Sequence, residues 1–280
     1  MSDVPTQTLA NGDELPQVGY GTWNIDGETV KEGVHAALEA GYAHVDTAEG
    51  YENEAEIGEA LTDYDREDVF LTSKVLAKNL NYDSVIESCR DSLDRLGTDY
   101  LDLYLIHWPN PAISLRETLD AMATLHDEGL VRNVGVSNFS AYQLSCAHHI
   151  SDVPIAVNQI EFHPWLQRPD LVEYCRETDT VIEAAAPLAR TEVFEDEAVQ
   201  TLADEYDRHP AQIVLKWATE RDVVVLPKSS APEHVASNVD LFGWSMADED
   251  LETLDGRDRD EPVYDHPARD WSSDVYGIHQ

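Results

Sequence analysis

Eight short apolar segments, each followed by a stretch of helical periodicity, run from one end of this chain to the other. No other feature limits the possible fold as tightly. The strand-like segments are Gln17–Tyr20, His44–Asp46, Val69–Lys74, Leu101–His107, Arg132–Ser137, Ile155–Gln159, Val181–Ala184 and Asp222–Leu226. Leu101–Ile106 alternates at first and then becomes continuously apolar, and Val223–Leu226 is apolar throughout. Such runs suit a parallel sheet covered on both faces. Between them, Val30, Val34, Ala37 and Leu38 form a stripe of period 3.6 that stops at Gly41. Similar stripes through Val85, Ile86, Cys89, Leu93 and Leu96, and through Leu115, Leu119, Met122 and Leu125, stop at Gly97 and Gly129. Residues 195–221 read as two helices broken at His209-Pro210, because Pro cannot continue a helix interior.

Strand followed by helix, repeated eight times, predicts an α/β fold of the (β/α)8 TIM-barrel type. Thr6–Leu9 and Glu14–Pro16, flanking Asn11-Gly12, predict a short N-terminal hairpin. Residues 1–280 are expected to form a single barrel domain. The charged, aperiodic stretch 256–280, with Trp271-Ser272-Ser273 in it, is expected to be a C-terminal tail, acting as a loop or lid or as a frayed terminus. A doubly wound fold would want Gly-x-Gly-x-x-Gly after the first strand. Gly19-Tyr20-Gly21-Thr22-Trp23 has no third glycine in place.

Charge raises disorder as an alternative, since 56 acidic residues against 18 basic ones give a net charge of -38. The 42% of hydrophobic residues are patterned and the acids are spread along the chain, which argues for a folded protein. An evenly acidic surface with five Lys suits a halophilic cytoplasm, where at about 1 M salt the Debye length is about 3 Å and self-repulsion is screened. A protein made to bind a basic partner usually shows blocks of like charge, and only short clusters such as Asp248-Glu249-Asp250 occur. Nucleic acid is disfavoured as a partner. Cys89, Cys146 and Cys175 are widely spaced and odd in number, which fits a reducing compartment. Met1–Ala10 has no basic start and no apolar core, so no secretory signal is expected. No apolar run is long enough for a bilayer. A cytoplasmic location, away from membranes, is the expectation.

The distinctive polar residues gather at one end of the strands. Asp46 closes the second strand and Tyr51 lies in the loop after it; Lys74 closes the third and His107 the fourth. Ser137-Asn138 follow the fifth, Gln159 closes the sixth, and Lys228-Ser229 follow the eighth. This C-terminal rim is where such barrels build their active sites. A cation beside a phenol favours the phenolate and lowers the Tyr pKa. An Asp beside the Lys keeps the ammonium charged and in place, and a His near the phenol can orient a substrate oxygen or relay a proton. The expected reaction is carbonyl reduction, with hydride arriving at carbon while Tyr51 protonates oxygen. No metal is expected: His-Glu-x-x-His spacing is absent, and His148-His149 reads as a surface pair. Trp23 and Trp108, together with Tyr51 and His107, are candidates for the substrate pocket, and Trp165 reads as either a pocket or a core aromatic.

These residues sit in strings that resemble the aldo-keto reductase family over nearly the whole chain. The strings are Gly19-Tyr20-Gly21-Thr22-Trp23, 41–48 (GYAHVDTA), Leu105-Ile106-His107-Trp108-Pro109, 135–139 (GVSNF), 157–164 (VNQIEFHP) and 226–230 (LPKSS). The compact length is similar to the microbial branch that includes 2,5-diketogluconate reductases. The resemblance implies NADPH extended across the barrel mouth, with NADH as an alternative cofactor. It also implies Asp46, Tyr51, Lys74 and His107 as a catalytic tetrad, and a role for Ser137, Asn138 and Gln159 in holding the nicotinamide carboxamide. Gly21, Thr22 and Trp23 match the first loop at the nicotinamide end and the substrate pocket, with Asp46 beside them. Lys228, Ser229 and Asn238 match the adenosine-phosphate end, and Leu188, in the string Ala184-Ala185-Ala186-Pro187-Leu188, is a further candidate for cofactor binding. Two positions depart from the family pattern. Ala185 stands where an aromatic residue commonly stacks on the nicotinamide, and His234 stands where an Arg commonly grips the phosphate. The substrate is expected to be a small carbonyl compound and the protein a monomer. A cofactor-binding regulatory subunit of a channel or complex, turning over slowly, is the alternative. A barrel enzyme for phosphorylated metabolites would want a Gly-rich loop where Ala185-Ala186-Pro187 stands.

Overall fold

A computed structural model describes residues 4–264. Eight parallel strands follow one another in chain order around a closed sheet: β3 (Tyr20–Gly21), β4 (His44–Asp46), β5 (Phe70–Val75), β6 (Leu101–Ile106), β7 (Val131–Ser137), β8 (Ile155–Glu161), β9 (Val181–Ala185) and β10 (Val224–Val225). The ends of the sheet meet through a parallel bridge between Val18 and Val225. Gly19 N–H donates to Val225 O at 2.9 Å, and Val225 N–H donates to Gln17 O at 3.0 Å. The result is the (β/α)8 barrel the alternation predicts.

The expected segments and the observed strands differ mainly at the first and the last. Asp222 is left-handed (φ 59°) in the turn that ends the preceding helix, so the eighth strand starts after it. Pro227 has no N–H to continue the ladder. The first strand pairs regularly only from Tyr20, with Val18 joining through its isolated bridge.

Ten α-helices are described: α1 (Gly27–Ala40), α2 (Glu54–Leu61), α3 (Tyr82–Leu96), α4 (Leu115–Asp127), α5 (Ala141–Ile150), α6 (Pro169–Glu177), α7 (Glu197–Tyr206), α8 (Pro210–Thr219), α9 (Pro232–Val239) and α10 (Asp248–Asp255). Their apolar stripes are buried against the sheet; in α1 these residues include Val30, Val34 and Ala37. Gly41 takes φ 101° to end α1, a conformation that Gly adopts without a Cβ penalty. The break at 209–210 falls where Pro predicts it. Asp207 ends α7 in a left-handed turn, His209 caps α8, and Pro210 occupies its first turn.

The hairpin also forms, from β1 (Thr6–Thr8) paired antiparallel with β2 (Glu14–Pro16). Leu9 and Leu15 pack with the inward-facing Phe70, Leu103, Leu105, Val157 and Val224, so the hairpin plugs the barrel at the end away from the polar rim. Of the expected tail, residues 256–264 are described and run back over that rim: Glu261 N–H donates to Trp165 O, and Val263 N–H to Glu161 Oε1. Residues 265–280, including Trp271-Ser272-Ser273, lie outside the described residues. Cys89 and Cys175 are buried and Cys146 is half-buried, all three as free thiols. Among the described residues no helix is long and apolar enough to cross a membrane.

Candidate active site

Asp46 ends β4 and Lys74 lies near the end of the neighbouring β5, so the barrel places both at its C-terminal rim. Lys74 is fully buried and commits all three ammonium hydrogens. It donates to Asp46 Oδ1 at 2.7 Å, to Thr47 O at 2.9 Å and to the Tyr51 hydroxyl at 3.3 Å. A charge this deep persists only when paired and hydrogen-bonded in this way. The ammonium also lies 4.8 Å from the centre of the Tyr51 ring. His107 follows β6; its ring meets the Tyr51 ring edge to face, at 5.5 Å between centroids. Asn138 Nδ2 donates to His107 O at 2.9 Å, which ties the His loop to the end of β7. The sequence-predicted Asp46, Tyr51, Lys74 and His107 therefore form one cluster.

Tyr51 closes a single 3-10 turn, Glu49–Tyr51, that is held on both sides. Glu49 accepts from Leu76 N at 2.9 Å and from Asn79 Nδ2 at 2.6 Å. Buried Asn53 donates to Thr22 O and Ile25 O, at 2.9 and 2.8 Å, and accepts from Thr47 Oγ1 at 2.7 Å. Burial pushes the Tyr51 phenol well above its ordinary pKa, and the Asp46 carboxylate adds to the rise. This is opposite to the direction expected from Lys74 alone, because desolvating a phenolate outweighs a cation that Asp46 already neutralises. At neutral pH Tyr51 is a protonated acid beside an ammonium.

The cluster opens into a cleft of two adjoining lobes, about 360 and 340 Å³, which share Trp23, Tyr51, Gln159, Ala185, Arg190 and Tyr264 as walls. Gly21, Asp46, Leu188 and Lys228 line the first lobe. His107, Trp108, Ser137 and Asn138 line the second. A Cβ at Gly21 would come within 2.9 Å of Leu226 O, so only Gly allows the first loop to lie this close. At the deep end, Ser137 Oγ and Asn138 N–H both donate to Gln159 O, at 2.8 and 2.9 Å, joining β7 to β8. Polar amides at the floor, apolar Ala185, Pro187, Leu188 and Leu226 on one wall, and cations toward the mouth are a donor set that suits a nicotinamide dinucleotide.

Three predicted cofactor residues are not brought to the cleft. Thr22 is fully buried and donates through Oγ1 to Asp46 O at 2.8 Å, so it supports the rim from beneath. Ser229 bonds within its own turn, to Ala231. Asn238 is buried on α9. Of the two departures, Ala185 presents only a methyl group to both lobes. His234 is exposed on α9, its ring 6.0 Å from that of His209. Trp165 is buried, with Nε1 donating to Asp196 Oδ2 at 2.8 Å. His148 is half-buried and bonded to Thr180 Oγ1 at 3.0 Å, while His149 is exposed. Among the described residues, no group of three or more His, Cys, Asp or Glu is placed to hold a metal.

Among the cleft residues that escaped the sequence reading are the charged Arg190 and the aromatic Tyr264. Arg190 follows β9 at the same rim, so strand-end position was a signal that could have found it. Its guanidinium lies 5.5 Å from the Trp23 ring and 5.7 Å from the Tyr264 ring. Lys228 Nζ lies 5.8 Å from Trp23 on the same cleft. Tyr264 comes from the aperiodic tail, where no pattern points inward. Glu161 holds it through the backbone N–H groups of Val263 and Tyr264, at 2.5 and 3.3 Å.

Comparison with known proteins agrees with this geometry. A family model described as the aldo/keto reductase family matches residues 17–259. An aldo-keto reductase of Mycolicibacterium smegmatis is 38% identical over 253 residues, covering 89% of this chain and 92% of the relative. The glyoxal reductase of Bacillus subtilis is 35% identical over 265 residues, covering 94% and 96%. A Bombyx mori aldo-keto reductase solved in complex with NADP superposes with a TM-score of 0.88 at 30% identity, covering 96% of this chain and 99% of that one. With a family match along most of its length and a rim that assembles the expected cluster, this chain belongs to the aldo/keto reductase family of oxidoreductases.

Proposed function

We propose that this protein reduces small aldehydes and ketones with NADPH, with Tyr51 as the general acid. The observation that carries the reading is the contact of the Tyr51 hydroxyl with the Lys74 ammonium, 3.3 Å apart, on the wall of the cleft. Bound in that cleft, a reduced nicotinamide supplies the hydride that the carbonyl carbon accepts. The chain's own residues do the rest. Trp23, His107 and Trp108 wall the second lobe and orient the carbonyl oxygen toward Tyr51. Tyr51 gives up its proton to that oxygen, and Lys74 stabilises the negative charge left on the phenol. Asp46 holds Lys74 in place, so the cation is preorganised rather than recruited. Ser137, Asn138 and Gln159 position the carboxamide of the ring. Arg190 and Lys228 bring positive charge to phosphate groups, and Lys228 favours the 2′-phosphate of NADPH over NADH.

The identity to a glyoxal reductase supports small dicarbonyl compounds as substrates. The net charge of -38 supports work in a saline cytoplasm. The test is carbonyl-dependent oxidation of NADPH and NADH across glyoxal, simple aldehydes and ketones in molar KCl. Turnover that depends on the carbonyl, and that is faster with NADPH, is the expected result. Absence of any carbonyl-dependent oxidation with either nucleotide would reject the reading.

A further inference from the structure

Beneath the floor of the cleft lies a carboxyl group that the proposed reaction does not use. Glu183 occupies the middle of β9 and is fully buried. Its register partners are Gln159 on β8 and Val224 on β10. The ionisable groups nearest to it are on the strands opposite, His44 and Asp46 on β4 and Lys74 on β5. Gln159 Nε2 donates to Glu183 Oε2 at 2.9 Å, and the same nitrogen donates to Asp46 Oδ2 at 2.9 Å. An amide nitrogen carries two hydrogens, so both are committed. The orientation of a Gln amide is ordinarily ambiguous. Here two carboxyl groups at one end decide it, because an amide oxygen would be repelled by Asp46. Gln159 Oε1 is then the polar atom left for the cleft, where Gln159 lines both lobes.

We propose that Glu183 is a positioning residue for the cofactor: with Asp46 it locks the Gln159 amide so that Oε1 faces the cleft as an acceptor for the carboxamide N–H of nicotinamide. The inference rests on reading the cleft as a nicotinamide site. Charge balance shows why the arrangement holds. Lys74 and Asp46 already neutralise each other at 2.7 Å, so an ionised Glu183 would bury a second, uncompensated negative charge. Burial and the Asp46 carboxylate push Glu183 up to about 8, so at neutral pH it accepts from Gln159 as a neutral acid. His44 brings no cation: burial pushes it down to about 3, and its Nε2 lies 3.9 Å from Glu183 Oε1.

The test compares dissociation constants for NADP+ and for 2′-phospho-ADP-ribose, the same molecule without its nicotinamide, in wild type, Glu183→Leu and Glu183→Gln. Leu removes the acceptor, whereas Gln keeps an oxygen for Gln159. Glu183→Leu should weaken NADP+ by about 5- to 10-fold, the loss of roughly one hydrogen bond, and leave 2′-phospho-ADP-ribose unchanged. Glu183→Gln should bind both ligands like wild type. Equal loss for both ligands, no loss for either, or a Glu183→Gln as weak for NADP+ as Glu183→Leu would overturn the role. Should the Leu variant fail to fold, a crystal structure of wild type with NADP+ decides: Gln159 must keep its bond to Glu183 while meeting the carboxamide, and a Gln159 turned away from Glu183 overturns the proposal. Wild type that binds neither ligand would instead overturn the cofactor reading beneath it.

Discussion

At the scale of single residues, the site is built on a buried ammonium. Lys74 is fully buried, and among the described residues Asp46 is its only carboxylate partner within bonding distance. Removing one member of such a pair leaves the other charge stranded, at a cost of about 3–5 kcal/mol. Lys74→Met should therefore destabilise the protein by about that amount in urea titration. Adding Asp46→Asn should recover part of the loss; a double variant no more stable than Lys74→Met would contradict the pairing. Glu183 makes a pH-dependent contribution of opposite character. Its pKa is raised from 4.5 to about 8. The folded protein thus keeps a proton there that the unfolded chain releases. The associated stability is full below about pH 4.5 and is lost as pH rises toward about 8. Glu183→Gln has no such proton to lose, so its melting temperature should gain on wild type steadily across that interval. Parallel curves would place Glu183 in a less buried setting.

At the scale of elements, much was legible, and what was not has definite causes. Strands and helices announced themselves because each has a period: two or continuous for the strands, 3.6 for α1, α3 and α4. That Asp46, Tyr51, Lys74 and His107 would meet at one rim was legible because polar residues at the ends of apolar strands have few structural reasons to be there. Facing was less legible. Thr22 lies in the expected loop, yet it turns inward to bond Asp46 O, and sequence order does not record which way a loop side chain turns. Tyr264 reaches the cleft through backbone hydrogen bonds to Glu161, which no side-chain pattern encodes. The turn that carries Tyr51 shows the same limit. Its position depends on Asn53, whose three hydrogen bonds join the Thr22–Ile25 loop to Thr47. At about 1 kcal/mol per bond, Asn53→Ala should cost about 3 kcal/mol of stability. It should also lower kcat more than it raises the KM for NADPH, since it loosens Tyr51 rather than the cofactor groove. A variant with full kcat would show that the turn holds itself.

At the scale of the whole molecule, a closed barrel is asked to carry a net charge of -38. Side chains such as Glu28, Glu59, Asp63 and Asp127 are largely exposed, so their repulsion acts through solvent and is open to screening. The melting temperature should therefore rise with KCl from low salt to about 1 M, where the Debye length falls to about 3 Å. A melting temperature that falls or stays flat over that range would argue against adaptation to a saline cell. Barrel closure is what lets distant parts of the chain meet: Asp46 and Gln159 are 113 positions apart, yet Gln159 Nε2 donates to Asp46 Oδ2 at 2.9 Å. That convergence places one protonated phenol against one ammonium at the wall of the cleft, and on it the proposed role of Tyr51 as general acid depends. The most direct measurement is single-turnover hydride transfer from NADPH in Tyr51→Phe, with cofactor binding measured in parallel. Binding should be unchanged while transfer falls by about 10²–10⁴-fold; transfer at close to the wild-type rate would contradict the role of Tyr51.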